Sequence, residues 1–127
     1  MTKDFDGWNE RKKRLDAKKK PPFYNEGQIW WCSIGVNVGF ELYGKSEIFT
    51  RPVLVLRKYS QETFFGLPLT SKQKDRPAYY GFDFHDEHGS IILDQGRTLD
   101  SRRLIKRMGE LPEPVLHQIK EAFRKYI

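Results

Sequence analysis

The chain of 127 residues holds one cysteine, two methionines and three histidines. Cys32 lies inside the apolar run Ile29-Trp30-Trp31-Cys32-Ser33-Ile34, so it reads as a buried thiol with no disulfide to make. A reducing compartment fits that usage. No stretch is apolar for long enough to cross a bilayer, and the charged N-terminus lacks a signal-peptide pattern, so a soluble, cytoplasmic protein with no membrane partner is expected. The glycine fingerprints of Walker and Rossmann loops are missing, and so is any internal repeat. His85-Asp86-Glu87-His88 looks like a metal site at first sight. Histidines three apart suit zinc only on a helix or with a third ligand, whereas this stretch ends in Gly89 between predicted strands. His117 falls on a predicted helix, and Cys32 has no histidine near it in the pattern to activate it. A solvated hairpin turn is the simpler reading, and neither metal nor cofactor is expected.

What is present is a core and an uneven charge. Hydrophobic residues make up 38% and aromatic residues 14%, enough for one domain with a packed interior. Net charge is +6. Residues 1–20 hold eight basic groups (Lys3, Arg11, Lys12, Lys13, Arg14, Lys18, Lys19, Lys20) against four acids (Asp4, Asp6, Glu10, Asp16). The remainder is only mildly basic. This is a basic arm on a milder body, fitted to an anionic partner such as RNA or an acidic peptide, although a solvated helix face would carry the same charges.

Residues 4–18 are predicted to be helical, with Trp8 and Leu15 on one stripe, and Lys20-Pro21-Pro22 ends the helix. Strands are expected over residues 28–34, 53–57, 63–69, 79–84 and 90–93, with a short one over 105–108. Residues 35–50 carry Gly35, Gly39, Gly44 and the polar centre Lys45-Ser46-Glu47; this loop is too long for a tight hairpin and reads as functional. Residues 72–77 form a basic, polar loop. A single helical turn over 100–104 is capped by Asp100 or Ser101. The C-terminal helix starts at Glu113-Pro114 and sets Val115, Leu116, Ile119, Phe123 and Ile127 on one face, to pack over an opening of the sheet. The fold class is mainly β (α+β). It is a small, coiled SH3-like β-barrel with an N-terminal basic helix, a short helix and a C-terminal amphipathic helix. Residues 1–22 form the arm and residues 23–127 the barrel domain.

Three apolar strands end in polar residues: Arg51 before Pro52-Val53-Leu54-Val55-Leu56, Thr70-Ser71 after Leu67-Pro68-Leu69, and Asp94-Gln95 after Ile91-Ile92-Leu93. Asp94-Gln95 is the hardest to dismiss as a plain strand end, because burying such groups unpaired costs on the order of 1–3 kcal/mol each. Were these ends to converge, a guanidinium, a hydroxyl, a carboxylate and an amide would surround one spot. Those groups can grip a phosphodiester.

Gly27-Gln28-Ile29-Trp30-Trp31, then Arg51-Pro52-Val53-Leu54-Val55-Leu56, then Pro68-Leu69-Thr70-Ser71, then Asp94-Gln95-Gly96-Arg97-Thr98-Leu99-Asp100 with Arg103-Leu104 resemble, in order, the blocks of the MazF/PemK toxins. These are the ribonuclease toxins of type II toxin–antitoxin systems, and the resemblance runs over roughly residues 27–127. It implies a MazF-type barrel that works as a homodimer. Such a barrel cuts single-stranded mRNA at short motifs without metal, and a cognate antitoxin neutralises it. Arg51 matches the catalytic arginine and Thr70 the catalytic hydroxyl. Asp94 matches an acidic position used in proton transfer, and Glu47 lies near another acidic position. Ser71, Gln95 and Arg97 fall at positions of the RNA groove. The chain departs from the family in a longer loop before Arg51, in Ile92 where some relatives carry arginine, and in Gly96.

The chemistry so implied is attack of the RNA 2′-hydroxyl on phosphorus, leaving a 2′,3′-cyclic phosphate and a 5′-hydroxyl. Arg51 suits charge stabilisation, since its planar fork donates two hydrogen bonds and its high pKa makes it a poor base. Thr70 would donate to the same phosphate and Asp94 is the candidate base. Gln95, Arg97, Ser71 and the loop of residues 35–50 are candidate base readers. Lys45, Lys72 and Lys74 would track the backbone. Two alternatives are a non-catalytic barrel that binds RNA or an acidic peptide, and a toxin of the same fold aimed at DNA gyrase.

Overall fold

A computed structural model of the chain describes residues 22–35, 49–72 and 75–127. The predicted helix over residues 4–18, Lys45, Glu47, Lys74 and most of the loop of residues 35–50 lie outside the described residues. Seven strands follow in order: β1 (Gln28–Gly35), β2 (Phe49–Lys58), β3 (Thr63–Thr70), β4 (Tyr79–Phe84), β5 (Glu87–Ile92), β6 (Arg97–Asp100) and β7 (Leu104–Glu110). One helix closes the chain, α1 (Glu113–Phe123), continued by a 3-10 turn over Arg124–Tyr126.

All pairings are antiparallel, and the strands run β4-β5-β3-β2-β1-β7 with β6 added beside β3. The expected closed barrel is therefore corrected to an open, mainly β sheet: among the described residues no ladder joins β4 to β7. Side chains bridge the gap instead. His85 Nε2 lies 2.9 Å from the Met108 carbonyl oxygen, and the Phe84 ring rests where a side chain on Gly109 would stand.

β1, apart from the exposed Trp31, and the Val53–Leu56 stretch of β2 are buried on both faces, which is why they read as apolar runs. Alternate residues divide between two clusters. Ile29, Leu54, Leu56, Leu67, Leu69, Ile91 and Leu93 join Leu111 and Ile119 of the C-terminal segment on one side. Trp30, Cys32, Val53, Val55, Phe64, Leu99 and Leu104 gather around Tyr24 on the other. The Tyr24 hydroxyl donates to the Ser60 and Thr63 carbonyls at 2.5 and 3.0 Å, which settles its one polar atom in this apolar site. Burial pushes its pKa up to about 12, with Glu62 and Asp100 adding to the shift.

Pro114 stands in the first turn of α1, as expected, and Ile119 is fully buried. Ile127, placed by periodicity on the same face, is instead exposed, because the helix tightens to a 3-10 turn after Phe123. The Asp100 side chain accepts from the Arg102 amide at 2.8 Å and so caps the short turn Ser101–Arg103. The loop of the β4–β5 hairpin is only His85-Asp86, both at positive φ (52° and 63°), the geometry of a tight two-residue turn. Among the described residues, no helix is long and apolar enough to span a membrane.

Candidate functional site

The β2–β3 ladder pairs Leu54 with Leu67 and Val53 with Pro68, then stops. Arg51 lies at the open end of β2, opposite Cys32 of β1. The residues from Gln95 to Arg97 reach the same end because β6 runs along β3, with Arg97 opposite Gly66 and Thr98 opposite Phe65. Gly96 allows the approach: a Cβ there would meet the Phe65 ring at 2.4 Å and Leu67 at 2.8 Å. Gly66 keeps the space beneath open, since its Cβ would meet Val53 at 2.5 Å.

The outcome is a cavity of about 300 Å³ whose polar lining is Arg51, Gln95 and Arg97 and whose apolar lining is Ile34, Val53, Pro68 and Leu99. Arg51 is half-buried and Arg97 exposed. Neither guanidinium has a hydrogen-bond or ion-pair partner among the described residues. Two free forks against an apolar wall suit a phosphate better than a folding role. Their field extends into the core: burial pushes the Cys32 thiol up to about 12, although Arg103 and Arg97 pull it the other way. Cys32 is therefore a neutral packing residue.

The remaining candidates lie elsewhere. Beyond Pro68, β3 pairs with β5 on its other edge, Leu69 with Ile91 and Thr70 with Ser90. Thr70 and Ser71 consequently border a second cavity, of about 280 Å³, and the Thr70 hydroxyl accepts from the Lys72 amide at 3.2 Å. Ser71 and Lys72 are exposed at this strand end. Asp94 does not line the arginine cavity; its carboxylate lies 3.9 Å from Arg76. Arg51, Gln95 and Arg97 thus come together, while Thr70 and Asp94 do not join them in that cavity.

Sequence reasoning missed the second cavity, lined also by Trp31, Pro52, Leu69, Phe82, Phe84, Glu87, His88, Gly89 and Met108. One signal was there to be read. Trp31 stands between the buried Trp30 and Cys32, so alternation turns it to the opposite face, and there it is 37% exposed. Of the His85–His88 stretch, His85 and Asp86 form the hairpin turn while Glu87 and His88 belong to β5, narrower than the turn expected.

No curated protein sequence matches the chain. Solved structures do. The MazE–MazF complex of Deinococcus radiodurans aligns with a TM-score of 0.65 at 23% identity, covering 82% of this chain and 96% of that one. An endoribonuclease in complex with its cognate antitoxin, from a mycobacterial species, gives 0.63 at 18% identity, with 82% and 94% covered. MazF of D. radiodurans alone gives 0.59 at 22%, with 83% and 94% covered. At such identities the likeness is one of fold. The sequence profile of the PemK-like, MazF-like toxins of type II toxin–antitoxin systems matches residues 25–127, nearly the whole described chain, and the protein belongs to that family.

Proposed function

We propose that the protein is an endoribonuclease toxin that cuts single-stranded RNA, with the arginine cavity as its phosphate site. The observation that carries this reading is the pair of guanidinium groups, Arg51 and Arg97, that have no hydrogen-bond or ion-pair partner among the described residues and line one cavity with Gln95. The 2′-oxygen attacks phosphorus, the bond to the 5′-oxygen breaks, and the products are a 2′,3′-cyclic phosphate and a 5′-hydroxyl. Arg51 holds the phosphate oxygens as charge builds on phosphorus, and Arg97 shares that charge. Gln95, at the rim, orients the neighbouring nucleotide.

Thr70 and Asp94 enter on the resemblance. The Thr70 hydroxyl accepts from the Lys72 amide, which leaves its own O–H to donate to the same phosphate. To serve as base, Asp94 would turn from Arg76. Catalytic hydrogen bonds are often loose in the free enzyme and tighten with substrate, so their positions do not disqualify them. Ser71 and Lys72, with Lys45 and Glu47, complete the proposed RNA path. A homodimer, a cognate antitoxin over the groove, a cytoplasmic location and cleavage without metal belong to the same proposal. The relatives described above as complexes with antitoxin support the partner.

The separation of Thr70 and Asp94 from the arginine cavity favours one second reading, an RNA-binding barrel that does not cut. One experiment separates the two: purified protein is incubated with a mixed-sequence single-stranded RNA in chelator. Cleavage at discrete positions supports the nuclease, and Arg51→Ala is expected to lower the rate by about 10²- to 10³-fold while RNA binding largely survives. RNA that is bound and left whole by the wild type identifies the binder.

A further inference from the structure

We propose that the second cavity is a base-binding subsite for a nucleotide next to the cut, and that Glu87 makes it prefer a base with an exocyclic amine (cytosine, adenine or guanine) over uracil. The proposal rests on the arginine cavity being the phosphate site and adds to it a reader on the other face of the same strand ends. Arg51 and Pro52 are adjacent residues of β2, and Pro68 and Leu69 adjacent residues of β3; in each pair the first lines the arginine cavity and the second this one. An RNA strand crossing the strand ends would meet both.

The walls are what an unpaired base requires. Trp31, Phe82, Phe84 and Met108 present apolar and π faces, and every base can stack on such surfaces. The polar groups then decide which base. His88 Nδ1 is held by Asp83 Oδ1, and the Thr70 hydroxyl oxygen accepts from the Lys72 amide, leaving its O–H as a donor. Glu87, exposed at the mouth, has no hydrogen-bond or ion-pair partner among the described residues. A carboxylate only accepts, so it pairs with the N4 amine of cytosine, the N6 amine of adenine or the N1–H and N2 amine of guanine, whereas uracil offers only N3–H between the O2 and O4 acceptors that repel it. The two cavities also differ in sign. Guanidinium groups line the phosphate side and a carboxylate the base side, so the strand cannot bind with those parts exchanged.

Pentanucleotides of 2′-deoxycytidine and of 2′-deoxyuridine, which lack the attacking hydroxyl, test this by binding alone, followed by tryptophan fluorescence. Wild-type protein is expected to bind the cytidine form about tenfold more tightly, and Glu87→Gln to lose that preference while binding the uridine form within about threefold of wild type. Glu87 is exposed on a hairpin, so the substitution spares the fold. Equal affinities in the wild type, or a preference that survives Glu87→Gln, would overturn the subsite even if the protein cuts RNA. A preference that follows Glu87 in a protein that leaves RNA whole would uphold the subsite and remove the nuclease.

Discussion

Arg51 is held by its neighbours in sequence and has no hydrogen-bond or ion-pair partner among the described residues. The apolar run that follows it buries β2 on both faces, and that burial fixes the strand end from which the guanidinium projects. This much was legible from sequence, because a charge at the head of an unbroken apolar run has few places to go. Asp94 was not, since its direction depends on Arg76, eighteen residues earlier in the chain, and no local pattern reports such a pairing. Gly96 marks the same boundary. Its role is close approach to Phe65 and Leu67, which only the folded β3–β6 pairing reveals. Gly96→Val is therefore expected to cost about 1–3 kcal/mol of stability, measured by urea unfolding, through overpacking against the Phe65 ring. The same variant should lose RNA binding in proportion to its displacement of Gln95 and Arg97. An unchanged midpoint would mean that the segment is not packed as described.

At the scale of elements, patterns strong enough to bury a face were readable and short ones were not. The strands beginning at Gln28, Thr63 and Tyr79 came out within a residue of their expected ends, the first as a run of aromatic and β-branched residues and the last by its alternation. β6 was missed: four residues with one buried position, Leu99, cannot display a period. The hairpin was placed too broadly, since its His85-Asp86 turn lacks the Asn-Gly signature that its positive φ values favour. One carboxylate ties elements that sequence could not connect. Glu26 accepts from the Lys58 amide at 2.8 Å and from the Lys120 ammonium at 3.0 Å, joining the end of β2 to α1. Burial raises its pKa, but those two hydrogen bonds and the nearby positive charges outweigh it and hold the carboxyl below its ordinary range. A depressed carboxylate stabilises the fold above its unfolded pKa of about 4.3, and the contribution is lost as pH falls through the lower folded value. Glu26→Gln should thus cost about 1 kcal/mol at pH 7, kept small because a third of the side chain is open to water. The difference from wild type should shrink as pH falls from about 5 toward 3 in thermal melts. A gap that stays constant across that range would show that the charge is not what matters.

For the whole molecule, the fold class and the family were within reach of the sequence, and the closure of the sheet was not. Closure depends on whether the β4–β5 hairpin pairs with β7 by backbone or meets it by side chains, and His85 and Phe84 supply the second answer. The open sheet leaves its strand ends to gather the arginine cavity on one side and the aromatic cavity on the other. Arg51 and Arg97 line one cavity there with no ion-pair partner among the described residues, and the account holds that the counter-charge is the scissile phosphate. The most direct test replaces one sugar. On an RNA whose cut site has been mapped, a single 2′-deoxy nucleotide is placed on the 5′ side of the cut, and binding and cleavage are measured together. The account predicts that the substituted strand binds as before and stays whole, while the unmodified strand yields a 2′,3′-cyclic phosphate and a 5′-hydroxyl. Cleavage of the deoxy strand at the same position, or products ending in a 5′-phosphate, would contradict it.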